Sequence, residues 1–147
     1  MGQLILPSSA TVYVDTSIFI YSVEANVDYY RELEPLWRQF DAGAITIVSS
    51  ELALLETLVV PIRDQDDVLV SIYEQLLVSS EVQLVAISQS ILRAAAQLRA
   101  TTGLKTPDAI HAATAISARA TLFLTNDRQF RVISDLPVVV LSEILAS

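Results

Sequence analysis

At 147 residues the chain is sized for one domain with a substantial core, and 52% hydrophobic composition excludes an intrinsically disordered protein. The lack of cysteine excludes a disulfide framework and any thiolate metal site. Seventeen acidic against nine basic residues, a net charge of −8, argue against a nonspecific nucleic-acid binder, which carries a basic surface.

The opening MGQLILPSSA has no basic region, and its apolar run is too short for a signal peptide. No stretch approaches the length of a membrane span. The expectation is a soluble, unexported, cytoplasmic protein.

Taken in chain order, Val12–Val14 reads as a short buried strand, β-branched and aromatic. Helices are expected over Thr16–Glu24 and Asp28–Asp41, with Pro35 an irregularity in the second. Ala44–Val48 is a second strand, bounded by Gly43 and by Ser49-Ser50. Ser49 or Ser50 is then expected to cap a helix that Pro61 stops after about Val60. Another helix runs from Asp64 to about Val78, and Val82–Ala86 is a third strand.

Ser88 caps a helix to about Thr102, which Gly103 ends. Thr106-Pro107 reads as N-cap followed by proline in the first helical position, opening a helix to about Ala118. A fourth strand (Thr121–Leu124), a short helix (Asn126–Ile133) and a fifth strand (Val138–Leu141) follow. Apolar strands alternating with helices imply a central parallel sheet covered on both faces. The expected fold class is α/β, a three-layer α/β/α domain over residues 1–147.

Open α/β sheets place their sites at the carboxyl ends of the strands. Asp15 directly follows the first strand and Asp127 the fourth, so adjacent strands would bring the two together. Each also reads as a helix or turn cap on its own. Glu56 shares a helical face with Leu52, Leu55 and Val59 in what reads as a buried helix, where a carboxylate needs a partner. Glu51, in the first turn, is explained by the helix dipole alone. Asp108 also sits in a first turn, but heads an Ala- and Ile-rich segment that reads as core.

Two carboxylates ~5 Å apart repel by ~3 kcal/mol at an effective dielectric of 20. Four could gather only by protonation or around a cation, and oxygen donors suit Mg²⁺ or Mn²⁺ rather than zinc. His111, the sole histidine, reads as a packed or hydrogen-bonded residue rather than a ligand. Lys105, Arg128 and Arg131 lie beside these positions, either as contacts for a nucleic-acid backbone or as solvated helix-end charges.

The segments VYVDTSIFI, SSELALLETLV, LKTPDAIHAATA and LFLTNDRQF resemble the PIN-domain family, especially the VapC-type toxin ribonucleases of type II toxin–antitoxin pairs. The resemblance implies a PIN-like fold and an Mg²⁺- or Mn²⁺-dependent endoribonuclease. Its acidic residues would match Asp15, Glu56, Asp108 and Asp127, supported by Thr16 or Ser17 and by Asn126. It also implies an RNA substrate, a homodimer and a small antitoxin, for which Tyr21, Tyr29, Tyr30 and Trp37 offer a groove unless they are core. Many members carry a further acid two residues after the last aspartate; here that position is Gln129. One firmly held ion is therefore expected rather than two. The rival from another class is a PIN-like binding module with weak or lost nuclease activity. A haloacid-dehalogenase phosphatase is disfavoured, because Ser17 stands where its second aspartate belongs. A response-regulator receiver is disfavoured because it needs an acidic pair before Asp15.

Overall fold

Alternation within one strand sets up both halves of the core. In the computed structural model, which describes residues 2–146, β1 (Thr11–Val14) sends Val12 and Val14 to one face of the sheet and Tyr13 to the other. β1 pairs in parallel with β2 (Thr46–Ser50) on one side and with β4 (Leu122–Thr125) on the other. With β3 (Gln83–Val85) and β5 (Val138–Val140), the sheet runs β3-β2-β1-β4-β5, parallel throughout. The chain winds outward from β1 to β3, then returns to the far side of β1 for β4. Such a reversal leaves a crevice at the carboxyl ends of the two inner strands.

One helical layer contains α1 (Thr16–Val23), α2 (Glu34–Asp41) and α4 (Asp67–Leu77). It buries Ile18, Phe19, Leu36 and Leu77 against Val12, Val14 and Leu124. The opposite layer is α5 (Gln89–Thr102) and α6 (Thr106–Ser117). Here Ala109, Ala112 and Ala113 pack with Tyr13, Val48 and Phe123; small side chains let α6 lie close to the sheet. Tyr13 stacks on Phe123 with centroids 5.1 Å apart, and Phe123 meets Phe130 at 4.6 Å. Each such ring pair adds about 0.5–1.5 kcal/mol beyond area burial. The pairs anchor the 3-10 turn Arg128–Val132 to the end of β1. α3 (Leu52–Arg63) follows β2, and α7 (Leu141–Ala146) follows β5. No described helix is long and apolar enough to cross a membrane.

The expected three-layer α/β/α arrangement with five parallel strands is present, and several local expectations need correction. Residues 28–33 form hydrogen-bonded turns, because Asn26 Oδ1 accepts from the backbone of Asp28 and Tyr29. Pro35 therefore lies in the first turn of α2, where its missing N–H costs nothing. Pro61 does not stop α3; it is buried in the last turn, where only one backbone bond is lost. Glu51 occupies the cap position of α3, and Ser50 Oγ instead accepts from Leu52 N–H at 3.0 Å.

The helix expected from Asp64 begins at Asp67, with Asp66 capping Leu69 N–H. Lys105, not Thr106, holds the cap position of α6. Ser88 caps α5 as expected, and Gly103 ends it at φ +76°, where a side chain is unfavourable. Leu141 opens α7 rather than closing the fifth strand.

Candidate active site

A cleft of about 270 Å³ opens at the carboxyl edge of the sheet, and Asp15, Glu56, Asp108 and Asp127 all line it. Each comes from a different element: the end of β1, the middle of α3, the first turn of α6, and the residue before the 3-10 turn.

Asp15 holds the cap position of α1, yet its side chain caps nothing. Its Oδ1 accepts from Ser17 Oγ at 2.6 Å and its Oδ2 from Thr125 Oγ1 at 2.5 Å. The carboxylate is buried, which pushes its pKa up although both hydroxyls and the His111 charge oppose the shift. The Ile18 backbone N–H also opposes the shift, so capping alone does not account for Asp15, and two hydroxyl donors hold its carboxylate.

The sequence alone does not mark Thr125. It is fully buried at the end of β4, and its Oγ1 also accepts from Asp127 N–H at 3.0 Å. One hydroxyl thus sets the spacing of two site aspartates. The available signal was its place at the end of an apolar strand directly before Asn-Asp, alongside β1.

Glu56 is in the cleft for a reason other than the expected one. The buried stripe of α3 is Ala53, Thr57 and Pro61, whereas Leu55 and Val59 are exposed at 61% and 52%. α3 is an amphipathic layer helix and not a largely buried one. Glu56 flanks the buried stripe and is half-buried. Its Oε1 accepts from Thr16 Oγ1 at 2.7 Å and pairs with His111 Nε2 at 2.8 Å. Burial would raise the Glu56 pKa, but the His111 and Thr16 hydrogen bonds and the His111 charge outweigh it and lower the value.

His111 is buried and hydrogen-bonded, as expected. Its Nδ1 lies 2.6 Å from the Tyr13 hydroxyl, and burial drives the phenol pKa far upward, so Tyr13 keeps its proton. Facing a carboxylate, Nε2 carries a proton and donates to Glu56. The ring also lines the cleft, a role the composition of α6 did not disclose.

Asp108 is half-buried, and its pKa is raised first by burial and then by the Asp127 charge. Asp15 and Glu56 add to that repulsion, and His111 opposes it. Asp127 Oδ1 accepts from Gln129 N–H at 2.9 Å, so this aspartate does cap its turn while facing the cleft. Asn126 bridges two elements: its Nδ2 donates to the Tyr21 hydroxyl at 3.2 Å, and its Oδ1 accepts from Ser142 N–H at 2.9 Å.

The donor set is oxygen-rich, anionic and partly desolvated, which fits a hard divalent cation in its chemistry. Among the described residues, no three His, Asp or Glu side chains stand close enough to chelate one ion directly. Of the expected neighbouring cations, Arg128 and Arg131 are ion-paired with Glu143 of α7, and Lys105 is exposed at the start of α6. The expected aromatic groove is divided. Tyr21, which packs 4.9 Å from Tyr29, lines the acidic cleft, while Tyr30 and Trp37 line a separate one with Leu76.

The family model for the PIN domain matches residues 12–136. No curated protein is significantly similar in sequence. Among solved structures, VapBC2 from Rickettsia felis, bound to a DNA fragment from its promoter, is similar at a TM-score of 0.66. It is 21% identical over 88% of this chain and 98% of that one. A toxin–antitoxin complex from Klebsiella pneumoniae is similar at a TM-score of 0.64, with 24% identity over 88% and 96%. VapC20 from Mycobacterium tuberculosis, a sarcin–ricin loop cleaving toxin, is similar at 0.63, with 15% identity over 76% and 86%. At these identities the likeness concerns the fold.

Proposed function

The chain belongs to the PIN-domain family, and from that premise we propose that it is an endoribonuclease dependent on Mg²⁺ or Mn²⁺, the toxin of a toxin–antitoxin pair. The observation that carries this reading is the meeting of four carboxylates in one cleft at the switch point of the sheet. Two of them, Asp15 and Asp108, have raised proton affinities. A site where burial and mutual repulsion both oppose ionisation is one that a cation would relieve.

When bound, a hard divalent cation polarises a phosphodiester and lowers the pKa of a coordinated water. Asp15 and Asp127 would hold it, with Glu56 and Asp108 holding the ion or a water. Direct protein ligands would be few, with water and substrate phosphate completing the shell. Ser17 and Thr125 orient the Asp15 carboxylate. Thr16 and His111 occupy Oε1 of Glu56, so Oε2 is the oxygen it offers to the cleft. Asn126 ties the start of α7 to α1 beside Asp127.

The partners in this reading are RNA, an antitoxin and a second copy of the chain, all in the cytoplasm. VapBC2 and the Klebsiella complex support the antitoxin; VapC20 supports RNA cleavage. The exposed apolar side chains of α3 and α4, among them Leu55, Val59, Ile62 and Val68, offer a face for the second copy.

Isothermal titration with Mn²⁺ separates this reading from the binding module. Wild type should bind the ion, and Asp108→Asn should bind it more weakly. No binding by wild type would favour the module.

A further inference from the structure

An acidic chain with an RNA substrate needs cations near its cleft, and the two arginines that follow Asp127 already hold an anion. Arg128 and Arg131 lie three residues apart on the 3-10 turn, positions that project from the same side of such a helix. Arg128 Nε is 3.1 Å from Oε2 of Glu143, and Arg131 grips both oxygens of the same carboxylate. Phe130, between them, is buried and lines the cleft, as does Asp127 just before them. Glu143 is in the first turn of α7, which Asn126 holds through Ser142 N–H.

We propose that Arg128 and Arg131 form a subsite for an RNA backbone phosphate beside the cleft, with Glu143 as its resident counter-anion, displaced when RNA binds. The proposal rests on the nuclease reading. Two guanidinium groups converging on one small oxyanion already present the planar, multidentate geometry that suits phosphate. The ion pairs are exchangeable because they are solvent-exposed: Arg128 is 72% and Arg131 48% accessible, where screening and side-chain entropy keep such pairs weak. The subsite also explains how a chain of net charge −8 can hold RNA: the cationic surface is small and local, and its two arginines are masked until substrate arrives. Arg38 and Arg63 are likewise paired, with Glu34 and Asp64, but they belong to α2 and α3 and flank no site carboxylate.

The test is fluorescence anisotropy of a short labelled single-stranded RNA in EDTA, where metal-dependent cleavage cannot occur. Glu143→Gln should tighten binding about three- to tenfold at low salt, because the competing charge is gone. Arg128→Gln/Arg131→Gln should weaken binding and flatten the plot of log affinity against log salt by about 0.7 per lost phosphate contact. Unchanged or weaker binding by a Glu143→Gln protein with native circular dichroism would overturn the proposal. An unchanged salt slope in the arginine double variant would overturn it too, and decides the matter if Glu143→Gln unfolds. Polyglutamate binding as tightly as RNA would assign the subsite to a protein carboxylate and overturn the RNA assignment. Because the assay contains no metal, its outcome is separate from whether wild type cleaves RNA.

Discussion

His111 and Glu56, on helices from opposite sides of the sheet's carboxyl edge, meet through Nε2 and Oε1 at 2.8 Å, with the buried Tyr13 hydroxyl behind the ring. The pair links the core to the cleft: the Tyr13 hydroxyl holds the ring, and the ring fixes one oxygen of the glutamate. His111→Leu should strand the Tyr13 hydroxyl and cost about 1–3 kcal/mol of stability. It should also lower cleavage by freeing Glu56 to rotate. His111→Gln, which retains a donor for Glu56, should recover part of the activity. Chemical denaturation together with cleavage kinetics checks both, and equal activity in the Leu and Gln variants would contradict the positioning role.

Thr125→Val is nearly isosteric and removes one hydroxyl with two partners, Asp15 Oδ2 and Asp127 N–H. The expected loss is about 1–3 kcal/mol from the unpaired buried group, together with weakened Mn²⁺ binding because both aspartates lose their register. Calorimetric titration of the folded variant measures the second effect. Wild-type Mn²⁺ affinity would contradict it.

The acidic cleft sets a pH dependence. Asp15 and Asp108 hold their protons more tightly in the folded chain than at the ordinary aspartate value of 3.8. In metal-free protein their stabilising contribution is complete below that pH and is lost as pH rises through the folded values. Glu56 runs the other way: its contribution is present above 4.5 and is lost as pH falls through its depressed value. In EDTA, Asp15→Asn should therefore flatten the fall in melting temperature with rising pH. Mn²⁺ should raise the wild-type melting temperature and raise that of Asp15→Asn less. Parallel pH profiles for the two proteins in EDTA would contradict the burial argument for Asp15.

The layer order and the meeting of Asp15 with Asp127 were legible because strand alternation and the rule for sheet edges are both local. The sequence points to Glu56 by a pattern that misleads. The apolar spacing of Leu52, Leu55 and Val59 suggested burial, while the packed stripe is Ala53, Thr57 and Pro61, whose small or polar side chains give a weaker signal. Pro61 and Pro35 show why proline alone did not fix boundaries: its cost depends on which turn it occupies. Thr125 and His111 owe their roles to partners 110 and 98 positions away, Asp15 and Tyr13, a relation that no window of sequence contains. The pairing of Arg128 and Arg131 with Glu143 is hidden in the sequence because Leu141 reads as the end of a strand rather than the start of α7.

Cleavage of a panel of labelled RNAs by purified protein, with Mg²⁺ or with EDTA, tests the central claim most directly when Asp15→Asn is run beside wild type. Wild type should cleave at least one RNA with Mg²⁺ and none with EDTA, while a folded Asp15→Asn protein cleaves none. Cleavage that persists in EDTA, or undiminished cleavage by Asp15→Asn, would contradict it.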